Sequence, residues 1–515
     1  MFRNRLKNTF CTLDDLEFEK PPQVLLIYLE MEYVGSGERH QNNTYKLEHE
    51  DIYLRPLLGL QYLVGAARDI GVEAVILDNR IISFNEKTLS SFIERNNIML
   101  VGMYTSFAHT NINSKFIQNI KKLTNIPIIA GGPGYTEYQQ LLHAGTDVVI
   151  RGEGEQTFKE LIQRVQSGKR SWSGINGINY LEDSNIKISP NRSLLDLNSI
   201  SFPVRDNLNS PTVYKDYIIP GYRPPYITMF TNRGCPHNCT FCDSPNVWNN
   251  KVRHRSPDNV IKEIDYVIGK WGIRFIDMVD DVFGIDHRWI EEFCTKLIER
   301  KHDDLKFKIL MNPHTFGARQ EKTIKLLARS GCNTVGIGMQ SAEMKTLVAI
   351  RRSLDTPERL IKAVDTCKKN GMLTFVSFIV GFPNDSIRAA DSIISLVKKA
   401  KPGVIDCYPL IFLKGTQLEI SLSKGDVFET HSYAKRFEDA KRVRRSFFMN
   451  PLNLLKFFWW LLRKNPMWIL YMSLQVKYFI KFVFGSKANL IKATDNKERV
   501  KEIVETRYKT SSPRV

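Results

Sequence analysis

Cysteine is scarce in this chain: there are eight in 515 residues, and Cys11, Cys294, Cys332, Cys367 and Cys407 stand singly. So sparse a supply excludes a disulfide-stapled scaffold and fits a reducing compartment. No charge-free apolar run approaches the roughly 20 residues needed to cross a bilayer. In the aromatic C-terminal part the longest uncharged stretch, near Pro466–Val476, is much shorter. An apolar leader is also missing from the first 20 residues, where Arg3, Arg5 and Lys7 mix with Asp14, Asp15 and Glu17, so no signal peptide is expected. Acidic residues are in deficit, with a net charge of +18, but residues 431–515 hold 19 Lys and Arg against 6 Asp and Glu. The positive field therefore belongs to the tail rather than to a nucleic-acid surface spread over the whole chain.

Three of the cysteines are not scattered. Asn232-Arg233-Gly234-Cys235-Pro236-His237-Asn238-Cys239-Thr240-Phe241-Cys242 spaces three thiols C-x3-C-x2-C directly after a β-like run, Tyr226 to Thr231. Four thiolates close an iron–sulfur cube, so three leave one iron without a protein ligand. The alternative is a structural zinc site with His237 as fourth ligand, although such sites usually pair their ligands in two clusters. By its spacing and the aromatic before the last cysteine, the loop resembles that of the radical S-adenosylmethionine (radical SAM) superfamily. The resemblance implies a [4Fe-4S] cluster on Cys235, Cys239 and Cys242, with S-adenosylmethionine on the open iron.

Ahead of the loop, apolar runs at Val24–Tyr28, Glu73–Leu77, Ile98–Met103, Ile126–Ala130 and Asp147–Ile150 alternate with helical patterns. That alternation predicts a doubly wound, Rossmann-like parallel sheet, whose ligands sit at the carboxyl ends of the strands. Gly131-Gly132-Pro133-Gly134 and Gly152-Glu153-Gly154-Glu155 follow the last two runs, where missing side chains would let backbone approach a bulky ligand. With Arg55-Pro56-Leu57-Leu58-Gly59-Leu60 and Thr105-Ser106, these features resemble the cobalamin-binding domain of B12-dependent radical SAM enzymes. The resemblance implies cobalamin contacts at Leu60, Thr105, Ser106, Gly131, Gly132, Gly152, Glu153 and Gly154. The Asp-x-His-x-x-Gly motif that ligates cobalt in many B12 proteins does not occur, and His109 has neither its aspartate nor its glycine.

After the cysteines, strand-like runs at Phe275–Val279, Phe307–Met311, Thr334–Ile337, Leu373–Val380 and Val404–Leu410 alternate with helices. With the strand before the loop they make six β/α units, a partial TIM-type (β/α)6 barrel with its site at the strand carboxyl ends. There lie Asp280-Asp281, Gln340-Ser341, Gly381-Phe382-Pro383 and Tyr408-Pro409. The resemblance implies S-adenosylmethionine contacts at Phe241, Asp280, Asp281, Gln340, Ser341 and Gly381. Gln340 stands where many relatives have Glu, and Phe382-Pro383-Asn384-Asp385 and Lys414-Gly415-Thr416 depart from the commoner Pro-Gly-Glu and Pro-Gly-Thr.

The expected organisation is a lead-in (1–20), a B12-binding-like α/β domain (21–200), a proline-marked linker (201–225), a radical SAM core (226–425) and a basic, aromatic, helical C-terminal extension (426–515). The tail suits either an interfacial helix on anionic lipid or a cap on the barrel. The resemblance implies a 5′-deoxyadenosyl radical acting on an unactivated carbon. The expected reaction is C-methylation or C–C bond formation on a hydrophobic lipid, isoprenoid or tetrapyrrole-like small molecule. The alternatives are a radical oxidative cyclase or rearrangement enzyme without methyl transfer, and a noncatalytic corrin or iron–sulfur binding protein. An external electron donor such as flavodoxin or ferredoxin is implied, nucleic acid is not expected as a partner, and the expected place is the cytoplasm, peripheral on the inner membrane face.

Overall fold

The computed structural model describes residues 11–29, 56–107, 109–206, 210–211, 225–315, 320–425, 433–448, 450 and 453. Its first domain runs through β1 (Cys11–Thr12), β2 (Val24–Tyr28), α1 (Leu58–Arg68), β3 (Ala74–Asp78), β4 (Ile82–Ser83), α2 (Glu86–Arg95) and β5 (Leu100–Tyr104). It continues through α3 (Thr110–Ile120), β6 (Ile128–Gly131), α4 (Tyr138–His143), β7 (Val148–Ile150), α5 (Glu155–Gln166), β8 (Ile178–Glu182) and β9 (Asn185–Ile188). Strand order is β3-β2-β5-β6-β7-β8-β9, parallel as far as β7 and antiparallel after it.

Strands in a parallel sheet are covered on both faces, so they read as continuous apolar runs. In β2, Leu25 and Ile27 enter one core with α2 and α3, while Val24 and Leu26 enter the other with α1 and α5. The lead-in is part of this domain: β1 pairs in parallel with β4, and Leu13 is buried. Order reverses between β2 and β5, and a crevice opens outside their carboxyl ends at such a switch.

The second domain contains β10 (Tyr226–Met229), β11 (Asn232–Arg233), α6 (Ser244–Trp248), β12 (Arg253–His254), α7 (Pro257–Trp271), β13 (Phe275–Met278), α8 (His287–Glu299), β14 (Lys306–Met311) and α9 (Gln320–Arg329). Then come β15 (Cys332–Gln340), α10 (Met344–Ala349), α11 (Pro357–Lys369), β16 (Leu373–Val380), α12 (Ala389–Ala400), β17 (Val404–Pro409), α13 (Gln417–Ser423) and α14 (Tyr433–Phe448). The strands β10-β13-β14-β15-β16-β17 form one all-parallel six-stranded sheet, the partial barrel expected. Helix starts follow local chemistry: Ser256 and Thr356 accept hydrogen bonds from Asn259 N and Arg359 N, each with proline at the first helical position.

Three further features shape the barrel. A two-residue antiparallel ladder, β11 with β12, ties the neck of the cysteine loop. The linker is anchored in the barrel wall, because Arg205 pairs with the fully buried Glu263 at 2.7 Å and donates to the Thr228 carbonyl at 2.9 Å. Arg255 pairs with the other Glu263 oxygen at 2.6 Å. Finally α14, inside the stretch expected as tail, packs on β17 and α12 and sends Ala440, Val443 and Phe447 into the barrel core. The membrane-contact expectation for the rest of the tail lies outside the described residues, among which no helix is long and apolar enough to cross a membrane.

Candidate functional site

Three thiols come together at the carboxyl end of the barrel sheet. Cys239 is buried, with Cys235 and Cys242 half-buried, and none of the three is in a disulfide. Burial pushes the Cys235 thiol up to about 12 and the Cys242 thiol to about 11, and negative charge on Cys239 adds to both. Among the described residues no group of three His, Cys, Asp or Glu side chains is gathered round a single point. Three soft thiols on one short loop, none of them in a disulfide, are the donors an iron–sulfur cluster takes, so the three cysteines fit it.

His237, inside the loop, stands against a second histidine. Its ring lies edge-on to His314 with centroids 4.7 Å apart. His314 Nδ1 is 2.8 Å from Asp355, whose other oxygen meets Arg352 Nη2 at 2.7 Å. Arg352 Nη1 reaches to 3.9 Å from Cys239 Sγ, and its Nη2 donates to the Gly338 carbonyl at 2.5 Å. This buried guanidinium beside the thiols was not singled out in the sequence.

The expected S-adenosylmethionine residues divide by role. Gln340 ends β15 with φ +70°, just after a register shift against β16, a strained position that turns its side chain at the strand end. Ser341 is buried beside it, its Oγ accepting from Glu343 N. Phe241 packs edge-on to Phe382 at 5.3 Å. Asp385 holds the Gly381-Phe382 turn by accepting from both backbone N–H groups, and Arg436 of α14 packs its methylenes over Gly381. Asp280 is committed to protein: its carboxylate accepts from Thr231 N, Asn232 N and Thr231 Oγ1. Burial nevertheless pushes its carboxyl up to about 7. Asp281 accepts from Ser244 Oγ at 3.3 Å. Asp280 braces the strand entering the cysteine loop, while Asp281 is exposed at its edge.

In the first domain the switch between β2 and β5 is lined by Tyr28, Tyr104 and His109, mutually 5.2 to 5.6 Å apart. Arg80 lies over Tyr28 at 4.5 Å. Ser106 Oγ meets His109 Nδ1 at 2.5 Å, while burial and then Arg80 lower the imidazole to about 4, so it is neutral. Thr105 Oγ1, His109 Nε2 and Asn113 Oδ1 are buried without a hydrogen-bond partner among the described residues. Buried polar atoms are rarely left so, and a polar cofactor tail would satisfy them. These residues fit a corrin at this edge.

Other expected corrin residues behave differently. Leu60 packs in the apolar core beneath the sheet. The close approach at Gly132 and Gly134 is to protein: a Cβ on either would lie 2.6 Å from the Thr105–Ser106 backbone. Gly131 borders Ile150, and Gly152 opens onto free space. Glu153 is bound by Arg233, Arg253 and Leu195 N; burial alone would raise its carboxyl, but these partners hold it below the usual range. Gly154 borders Leu63.

The two domains also meet at Lys414–Glu137, 3.0 Å, so the Gly131–Gly134 turn faces the loop after β17. Residues 54–162 match the family described as B12 binding domain, and residues 229–397 match the Radical SAM superfamily. An uncharacterized methyltransferase of Pyrococcus horikoshii is 30% identical over 355 residues, 67% of this chain and 73% of that protein. The anaerobic magnesium-protoporphyrin IX monomethyl ester cyclase of Rubrivivax gelatinosus is 28% identical over 285 residues, 54% of this chain and 49% of the cyclase, so the match spans about half that relative. Among solved structures, the radical S-adenosylmethionine methyltransferase TsrM of Kitasatospora setae, with cobalamin and a [4Fe-4S] cluster bound, shares the fold with a TM-score of 0.59 at 18% identity, covering 78% of this chain and 75% of that one. Motif, fold and relatives agree: the chain belongs to the radical SAM superfamily, in the branch that carries a B12-binding domain ahead of the barrel.

Proposed function

We propose that this protein is a cobalamin-dependent C-methyltransferase, or a related C–C bond-forming enzyme, acting on an unactivated carbon of a hydrophobic small molecule. The observation that carries it is the convergence of Cys239, Gln340 and Arg352 on one barrel mouth, joined by Arg233 to the corrin domain. When bound, the cluster and S-adenosylmethionine supply a 5′-deoxyadenosyl radical, and the corrin supplies a methyl carrier.

The chain's part is to bind, orient and shield. Cys235, Cys239 and Cys242 hold the cluster. Arg352, fixed by Asp355, offers cationic N–H to the cofactor carboxylate beside Cys239, the kind of charge-assisted contact that fixes orientation. Gln340 and Ser341 serve the methionine and ribose parts with neutral groups, and Phe241 and the Gly381 turn serve the adenine. Thr105, His109 and Asn113 take the corrin's polar tail. Tyr408 near the end of β17 and Ile411 just past it, 47% and 44% exposed, give an apolar approach that supports a lipid, isoprenoid or tetrapyrrole-like substrate.

The electron is proposed to come from an external flavodoxin or ferredoxin. A cytoplasmic protein whose basic aromatic tail touches the inner membrane face is the proposed setting. The cyclase relative favours a second reading, oxidative cyclisation or rearrangement. Anaerobic reconstitution with methyl-labelled S-adenosylmethionine and cell extract tests both. Labelled product supports methylation, and unlabelled product formed with deoxyadenosine supports the second reading. Absence of deoxyadenosine on reduction leaves a noncatalytic binding protein.

A further inference from the structure

Two loops 80 positions apart in sequence are joined by charges closed off from water. Arg233, two residues before Cys235, donates Nη1 to Glu153 at 2.8 Å and Nη2 to Glu155 at 2.5 Å. Its cross-strand partner in the neck ladder, Arg253, donates to both Glu153 oxygens, at 2.9 and 3.0 Å. All but Arg253 are more than nine-tenths buried, and the four charges cancel. The Arg233 guanidinium also lies 5.0 Å over the Tyr62 ring of α1 and 5.7 Å over Phe230.

Buried ion pairs of this kind seldom add net stability over apolar packing, because desolvation offsets the attraction; their best attested use is to fix registry. Here one end is the glycine-flanked turn after β7, at the corrin edge, and the other is the neck of the cluster loop. Neither end can shift without dragging the other or stranding a buried charge.

We infer that Arg233 is a positioning residue that couples the two cofactors: corrin binds more tightly when the cluster is in place, and the cluster is held more firmly when corrin is bound. Linkage makes the two effects equal. The inference rests on the corrin and cluster assignments above.

The test is a four-way binding comparison. Hydroxocobalamin affinity is titrated by absorbance in anaerobically reconstituted protein and in the same protein stripped of iron. The unaltered chain should bind roughly fivefold or more tightly in the cluster-loaded form, the low end of measured couplings. Arg233→Met combined with Glu155→Met removes opposite charges together and leaves only the Glu153–Arg253 pair between the loops, and its ratio should fall well below that of the unaltered chain. General weakening cancels, because both arms use the same variant. A ratio of one in the unaltered chain, or an unchanged ratio in the double variant, overturns the coupling. Should the double variant not fold, Arg233→Lys keeps the charge but loses the two-pronged bridge, and an unchanged ratio there also overturns it. Hydroxocobalamin that binds neither form of the unaltered chain defeats the corrin assignment itself.

Discussion

Replacing Gly234 by alanine should empty the cluster site while sparing the first domain. Gly234 has φ +104°, and a Cβ there would sit 2.0 Å from the Lys251 carbonyl oxygen, 3.1 Å from its carbon and 3.3 Å from Trp248 Cβ. Carbon and oxygen keep roughly 3.3 Å apart even in a weak C–H···O contact, so the neck has to open by more than 1 Å. The obstacle is backbone, and it cannot be relieved by turning a side chain. Residues in that region of φ cost about 1–3 kcal/mol, and each hydrogen bond lost from the β11–β12 ladder adds about 1 kcal/mol. A local penalty on the order of 3 kcal/mol falls on the two-residue ladder itself, because the Arg233 and Arg253 bridges and the Asp280 bonds hold the strands in place and leave Gly234 no room to retreat. Iron and sulfide analysis after anaerobic reconstitution should show well under half of the unaltered protein's cluster. Hydroxocobalamin should still bind Gly234→Ala, at the affinity of the iron-stripped unaltered chain. A variant with full iron and an unchanged melting temperature would refute the steric reasoning.

Arg352→Gln should leave iron content intact but weaken S-adenosylmethionine binding about tenfold to a hundredfold in equilibrium dialysis, since a hydrogen bond to a charged group contributes about 1.5–3 kcal/mol. His109 is neutral in the fold, lowered to about 4 from 6.5, so its contribution is full above pH 6.5 and is lost as pH falls through about 4. At 1.36 kcal/mol per unit that amounts to about 3 kcal/mol, and His109→Gln should flatten the pH dependence of the denaturant midpoint over that window. Glu263→Gln leaves Arg205 and Arg255 buried without their shared carboxylate and should destabilise the barrel by about 3–5 kcal/mol, read from thermal unfolding.

The strands were legible because burial on both faces makes a run such as Val24–Tyr28 apolar throughout, and the cluster because its three ligands lie within eight residues. Arg352 was not, since its meaning comes from Cys239, Gly338 and Asp355, brought together only by β15 and the turn after α10. Arg205 likewise reads as linker polarity until Glu263, 58 positions on, is found beneath it. The glycine run at 131–134 has a different physical reason from the one its sequence suggests: its missing side chains admit the Thr105–Ser106 loop, and the orphaned polar atoms next to it supply the better case for a ligand. Asp280 shares one spelling with cofactor-binding carboxylates, and only hydrogen-bond geometry reveals it as a brace.

The anchoring of Arg205 makes most of the interdomain connector irrelevant to how far apart the two halves stand. Arg205 is held by the barrel wall while its neighbours Val204 and Asp206 bind Gln61 and Arg68 of α1, so the stretch from there to Tyr226 starts where both bodies already touch. Lengthening it by guest residues enlarges a closed loop, and even a doubling costs only about 0.6 kcal/mol. The spacing of the halves answers instead to the contacts that pin them, at Val204–Asp206 and at the Arg233 bridge, so a residue added just ahead of Arg205 is felt where one added in the proline-rich stretch is not.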